Sequence, residues 1–314
     1  MTNTPVVAVI GAGTIGASWT ALFLASGLRV NVHDPAPDAE SAVRRYIGAA
    51  WPTLEALGPV APAWNERLRF FAAAEDAVAD VQFVQENVPE RLEIKHDMYR
   101  RIGPALRRDA IVASSSSGLL LRDMQKAWQD PGRFILGHPF NPPHLIPLVE
   151  LLGNEQTAPG VLDAADEFYR RHGKVTIRVN KEMPGHVANR LQAALWREAI
   201  HLVVEGVVSV TDVDTAVTAG PGLRWAVMGP HMLFGLGAGP DGMTTFCERY
   251  RESFHTWWKT LGAPQLSTEV GALLSRGLIE EGAGRDYSTL VAERDHKIVA
   301  TLRALRESRP ERRT

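Results

Sequence analysis

A chain of 314 residues exceeds the usual size of one compact core, so two domains are the first expectation. Hydrophobic residues at 45% and charged residues at 22% are ordinary globular composition and exclude disordered and fibrous classes. The net charge of −2 gives no broad electrostatic handle for nucleic acid, and the arginines between Arg306 and Arg312 read as a solvated basic tail.

Met1 to Val7 shows no basic region followed by the apolar core of a signal peptide. No uncharged run approaches the roughly 18 residues that would span a membrane. The single cysteine, Cys247, precludes an internal disulfide; it follows Phe246 in a helical-looking stretch and is expected in a buried apolar setting. A cytoplasmic, reducing environment is the resulting expectation, with neither membrane nor nucleic acid as a partner.

Val6 to Ile10 reads as a strand, Ile15 to Ser26 as a helix ended by Gly27, and Leu28 to His33 as a second strand. Residues 36 to 75 carry a helical pattern broken by prolines at 52, 59 and 62. Further strands are expected at Val81–Gln85, Ala110–Ser114, Arg133–Gly137 and Val175–Val179. Strands alternating with helices imply a parallel, doubly wound α/β sheet of the Rossmann type. After Pro184 the character changes. Val187, Leu191, Ala194, Leu195, Ile200, Leu202 and Val203 recur at helical spacing, and Gly- and Pro-rich joints separate the later segments. The division predicted is 1–183 for a nucleotide-binding domain and 184–314 for an all-α domain.

Gly11, Gly13 and Gly16 form G-x-G-x-x-G directly after the first strand and at the opening of a helix, Ile15 lying within that turn. The glycines allow a tight turn, close approach of the backbone to a pyrophosphate, and packing of helix on strand. The helix N-terminus presents unpaired N–H groups and a positive dipole end to the phosphates. The second strand ends at Asp34, 18 residues after Gly16. An acid there accepts from the ribose hydroxyls and repels a 2′-phosphate, so NAD is favoured over NADP.

Ligands of open parallel sheets bind beyond the carboxyl ends of the strands. Two groups lie at such ends: Ser114-Ser115-Ser116-Ser117-Gly118 and His138-Pro139-Phe140-Asn141-Pro142-Pro143. Glu150 follows His138 by 12 residues inside the apolar run Leu145–Leu152. Oxidation of an alcohol by hydride transfer needs a base for the hydroxyl proton, and histidine is suited to that at neutral pH. A carboxylate on the other ring nitrogen fixes its tautomer and stabilises the imidazolium. From spacing alone, His138 is equally a satisfied core histidine and Glu150 a surface residue. His138, His144 and Glu150 lack metal-ligand helix spacing, and prolines at 139, 142, 143 and 147 prevent a helix, so no metal is expected.

Four segments together resemble the 3-hydroxyacyl-CoA dehydrogenase superfamily: Glu86–Leu92, Ser114–Gly118, His138–Pro142 and Pro184–Arg190. The resemblance runs from Val6 to about Tyr250. It implies a Rossmann domain joined to a helical dimerisation domain, and hence a homodimer. It also implies roles. His138 matches the catalytic base and Glu150 its partner. Ser117 and Asn189 match the groups holding the substrate oxygen. Glu86 and Asn141 match positions near the nicotinamide half of the cofactor and the active-site wall. Arg91 departs from the asparagine of many relatives.

Gly222-Leu223-Arg224-Trp225-Ala226 resembles the branch of lambda-crystallin/L-gulonate 3-dehydrogenase and L-carnitine dehydrogenase. An arginine there can hold a free carboxylate bidentately, whereas a thioester carries no such charge. A structural ion pair is the lesser alternative for Arg224. Trp225, Trp257 and Trp258 suit either a pocket for a quaternary ammonium or core and dimer contacts. The expected activity is NAD-dependent oxidation of a small free 3-hydroxy acid. A short-chain 3-hydroxyacyl-CoA dehydrogenase and a non-catalytic NADH-binding protein are the alternatives.

Overall fold

Eight strands form one sheet in a computed structural model that describes residues 5–308. They are β1 (Val6–Ile10), β2 (Arg29–His33), β3 (Leu68–Phe70), β4 (Phe83–Glu86), β5 (Ile111–Ser114), β6 (Phe134–Pro139), β7 (Leu148–Leu152) and β8 (Val175–Arg178). Their order is β3-β2-β1-β4-β5-β6-β7-β8. The first six pair in parallel, which is the dinucleotide-binding order 3-2-1-4-5-6. β7 then runs antiparallel to β6, and β8 parallel to β7.

The sequence dictates this layering. Strands such as VVAVI are apolar throughout because helices cover both faces. Trp19, Phe23, Val43, Ile47 and Tyr169 fill one face. Met98, Tyr99, Ile102, Leu121 and Met124 fill the other. The predicted strands form, with ends displaced by one or two residues. Two more are present. β3 is a three-residue edge strand, too short to show a period. β7 reads as an apolar run interrupted by an acid, and that acid is buried.

The expected break at Pro52 does not occur. The helix Ala39–Leu57 passes through it and stops at Gly58, whose φ is 151°. Pro52 lies four residues after exposed Gly48, so the carbonyl it strips of a donor can turn to water.

Beyond Pro184 the described residues form only helices, from Ala188–Val204 to Tyr287–Glu307. Ser209, Ser267 and Asp286 cap three of them by accepting a backbone N–H. Two compact units result: Met1–Asn189 with Asp295–Arg303, and Arg190–Arg294 with Ala304–Thr314. The first holds the whole sheet. None of the described helices is long and apolar enough to cross a membrane. Of the basic stretch Arg306–Arg312, residues from 309 on lie outside the described residues, as do residues 1–4 of the N-terminal segment.

Candidate active site

The glycine turn connects β1 to the helix Thr14–Ala25. Gly11 has φ +85°, and a Cβ there would meet the Asn87 backbone at 2.7 Å. A Cβ on Gly16 would lie 1.9 Å from the Gly11 carbonyl oxygen. Both must therefore be glycine. A Cβ on Gly13, by contrast, meets nothing within 4 Å. The turn leaves open space at its tip, where the helix begins with no side-chain cap. Its free N–H groups and dipole favour an anion at that place. Ile15 is half-buried beside them.

Asp34 stands just past the end of β2. Its Oδ2 accepts from Ala12 N at 2.7 Å and its Oδ1 from Ala36 N at 2.9 Å. Each oxygen keeps a lone pair for a ribose hydroxyl. Anion-ready turn, open tip and oriented acid fit a dinucleotide without a 2′-phosphate.

Three strand spacings, about 14 Å, separate β1 from β6. His138 is the penultimate residue of β6, in register with Glu150 on β7. Imidazole Nδ1 lies 2.8 Å from Glu150 Oε2, and both side chains are buried. The other carboxylate oxygen, Oε1, accepts from Val187 N at 2.9 Å and Ala188 N at 3.0 Å. One acid thus holds the imidazole and the start of the helix Ala188–Val204, whose second residue is Asn189. Burial pushes the Glu150 carboxyl up, but hydrogen bonds from His138, Ala188 and Val187 outweigh it and hold it below its ordinary value. An ionised acid on Nδ1 leaves the lone pair of Nε2 as the basic site.

The serine turn follows β5. One oxygen of Glu90 accepts from Ser116 Oγ (2.6 Å), Ser117 N (3.0 Å), Gly118 N (2.7 Å) and Leu119 N (3.2 Å). Burial raises the Glu90 carboxyl, and these donors together with Lys95 bring it below its ordinary value. Glu90 therefore fixes the backbone that carries Ser117, a task that no local pattern announces: its partners lie 26 to 29 residues away.

The expected contact of Glu86 with the cofactor needs correction. Its carboxylate is fully buried and accepts from Lys95 Nζ, Val88 N, Tyr99 OH and Ser114 Oγ at 2.6–2.7 Å. Those four donors occupy it, so the side chain buttresses the ends of β4 and β5.

Asn141 is exposed in the loop after β6. His186 is a further residue that reading by motif left without a role. It is buried at φ +48°, and its ring lies 5.1 Å from that of His138. Burial, and then the charge of His138, lower its pKa. Arg91 is exposed and pairs with Glu93 at 2.8 Å.

Arg224 belongs to the second unit, exposed on the helix Pro221–Val227. Cys247 corrects another expectation: it is exposed on the helix Gly242–Thr260, none of whose residues is buried. Phe246, Tyr250, Phe254 and Trp258 of the same helix line an open cavity of about 380 Å³. Among the described residues no group of His, Cys, Asp and Glu is arranged to hold a metal ion.

Strand order, glycine turn and acid-terminated second strand define the class: an NAD-dependent dehydrogenase. The 3-hydroxyacyl-CoA dehydrogenase NAD binding domain matches residues 6–183, and the C-terminal domain of the same family matches 185–272. The chain belongs to the 3-hydroxyacyl-CoA dehydrogenase family. It is 47% identical over 305 residues to an L-carnitine dehydrogenase of Streptomyces coelicolor, covering 97% of this chain and 96% of that one. An L-carnitine dehydrogenase of Streptomyces griseus is 47% identical over 298 residues, covering 95% and 89%. The crystal structure of an NAD+-dependent 5-formyl-3-hydroxy-2-methylpyridine 4-carboxylic acid 5-dehydrogenase superposes with TM-score 0.82 at 32% identity, covering 98% and 100%.

Proposed function

We propose that the protein oxidises the 3-hydroxyl of a small free 3-hydroxy carboxylic acid, carnitine-like or gulonate-like, to the 3-oxo acid. The observation that carries this reading is the buried His138–Glu150 pair at the carboxyl edge of a dinucleotide-binding sheet. The nearly full-length similarity to L-carnitine dehydrogenases supports the substrate class.

NAD, when bound, would supply the acceptor for the hydride of the carbinol carbon. Gly11, Gly13, Ile15 and Gly16 would hold its phosphates, Asp34 a ribose, and Ser117 and Asn141 would border its reactive half. His138 accepts the hydroxyl proton on Nε2, because Nδ1–H is engaged by Glu150. Glu150 stays ionised and offsets the charge gained by the ring. Ser117 and Asn189 donate hydrogen bonds to the oxygen as it becomes a carbonyl. Arg224 takes the substrate carboxylate.

We assign residues 1–183 to cofactor and base and 184–314 to substrate and self-association; the two family models, which match 6–183 and 185–272, support this division. We assign a cytoplasmic homodimer joined through the helical region. Large apolar side chains exposed there, including Trp225, Trp257 and Trp258, support that assembly.

The test follows NADH absorbance with L-carnitine, L-gulonate, 3-hydroxybutyrate and 3-hydroxybutyryl-CoA. Turnover of a free acid is expected. Turnover of the thioester alone would replace this reading with that of an acyl-CoA enzyme. NADH binding without any turnover would make the protein a non-catalytic binder.

A further inference from the structure

Lysine is rarely buried without a carboxylate partner, yet Lys174 is 5% exposed just before β8. Its ammonium donates to the carbonyls of Pro143 at 2.5 Å and Ile146 at 2.7 Å. It also lies 4.9 Å from the centre of the Trp19 ring.

Both carbonyls belong to the loop that joins β6 to β7, and so joins His138 to Glu150. Prolines at 142, 143 and 147 remove N–H donors from this loop. Two of its remaining amides, of Leu145 and Ile146, both turn to Pro142 O. Its buried carbonyls therefore depend on a donor from elsewhere in the chain.

The other face of the contact leads to the serine turn. Trp19 is fully buried, and its indole N–H donates to Ser115 Oγ at 3.3 Å. Gln85 Nε2 donates to the same hydroxyl at 2.8 Å and to Gly137 O, the residue before His138, at 3.3 Å. A single ammonium thus touches directly the loop that joins His138 to Glu150, and the Ser117-bearing turn through one ring.

We propose that Lys174 is a positioning residue for the reaction: its ammonium fixes the β6–β7 loop against Trp19, and so sets His138 and Asn141 relative to Ser117. This rests on the assignment of His138 as the base. Desolvation pushes the ammonium down to about 7. The neutral amine still has two N–H groups for two carbonyls, so the clamp holds on either side of that value.

The experiment compares the full-length wild type with Lys174→Met, which keeps the length of the stem and loses the donors, and Lys174→Ala with and without propylammonium. Three quantities are read: NADH affinity by fluorescence, amide exchange of residues 144–146, and kcat against KM on the best free acid. In Lys174→Met, exchange in the loop should rise by about tenfold or more while NADH still binds. Its kcat should fall by about 10- to 100-fold with little change in KM, as for a misplaced base. Propylammonium should restore kcat of Lys174→Ala in a saturable way, which a general loss of stability would not permit; this arm also serves if Lys174→Met does not fold.

Unchanged loop exchange in Lys174→Met overturns the inference, whatever the activity. So does a loosened loop with kcat intact, which reduces Lys174 to scaffold. His138→Gln run alongside separates the two ideas: full turnover in that variant removes the base assignment, while loop exchange still decides the clamp.

Discussion

Glu150 faces His138 as its register partner across the antiparallel β6–β7 pair, so backbone pairing itself brings Oε2 to 2.8 Å from Nδ1. A hairpin places the two side chains on one face without help from loop flexibility. His138→Gln keeps size and polarity but removes the base. Turnover should fall by about 10²–10⁴ with NADH binding nearly intact, read by steady-state kinetics and fluorescence titration. Unaltered turnover would remove the mechanism.

The same carboxylate makes folding stability depend on pH. Burial raises the Glu150 carboxyl, and the donors His138, Ala188 and Val187 lower it by more. A carboxyl depressed in the folded state adds stability above its unfolded pKa and loses it as pH falls through the folded value. The stability advantage of wild type over Glu150→Gln should therefore be complete at pH 7 and shrink below about pH 4. Urea midpoints for both proteins from pH 7 to pH 3 provide the check. A gap that stays constant over that range contradicts the depressed value.

Asp34 is held by Ala12 N and Ala36 N, one on each oxygen. Asp34→Asn keeps an acceptor and removes the charge that opposes a 2′-phosphate. The preference for NADH over NADPH, measured as a ratio of dissociation constants, should drop by about 10- to 100-fold. Most of the change should come from tighter NADPH binding. An unaltered ratio would show that Asp34 does not face the ribose.

The strands β1 (VVAVI) and β5 (IVAS) were legible because a strand buried on both faces is an apolar run, and β2 (RVNVH) by its alternation. β7 was not, because Glu150 interrupts LVELL; the feature that hides the strand is the one that gives it chemistry. The 12-residue spacing from His138 to Glu150 was visible, but the proline-rich loop between them gives no periodicity from which to infer a hairpin. Glu90 and Lys174 act on backbone groups about 27 to 31 residues away in sequence. Such contacts leave no local pattern, since a backbone carbonyl or N–H has no residue type to read. Glu86 shows the opposite error. Its place beside the glycine turn is evident from register with Ile10, while its four internal donors are evident only after folding.

The role proposed for Arg224, holding the substrate carboxylate, predicts discrimination between a free acid and a thioester. A guanidinium meets a carboxylate with two parallel charge-assisted hydrogen bonds, each worth about 1.5–3 kcal/mol. A thioester offers only neutral acceptors. Arg224→Ala should thus lower kcat/KM for the free acid by about 10- to 100-fold or more, and leave any activity on 3-hydroxybutyryl-CoA nearly as it was. Arg224→Lys should recover part of the loss, because an ammonium keeps the charge without the fork. Since Arg224 is exposed, neither substitution opens a core cavity, so lost activity can be read as lost recognition. Equal losses on acid and thioester would mean that Arg224 holds the protein together rather than the substrate, and the choice of a free acid would lose its physical basis.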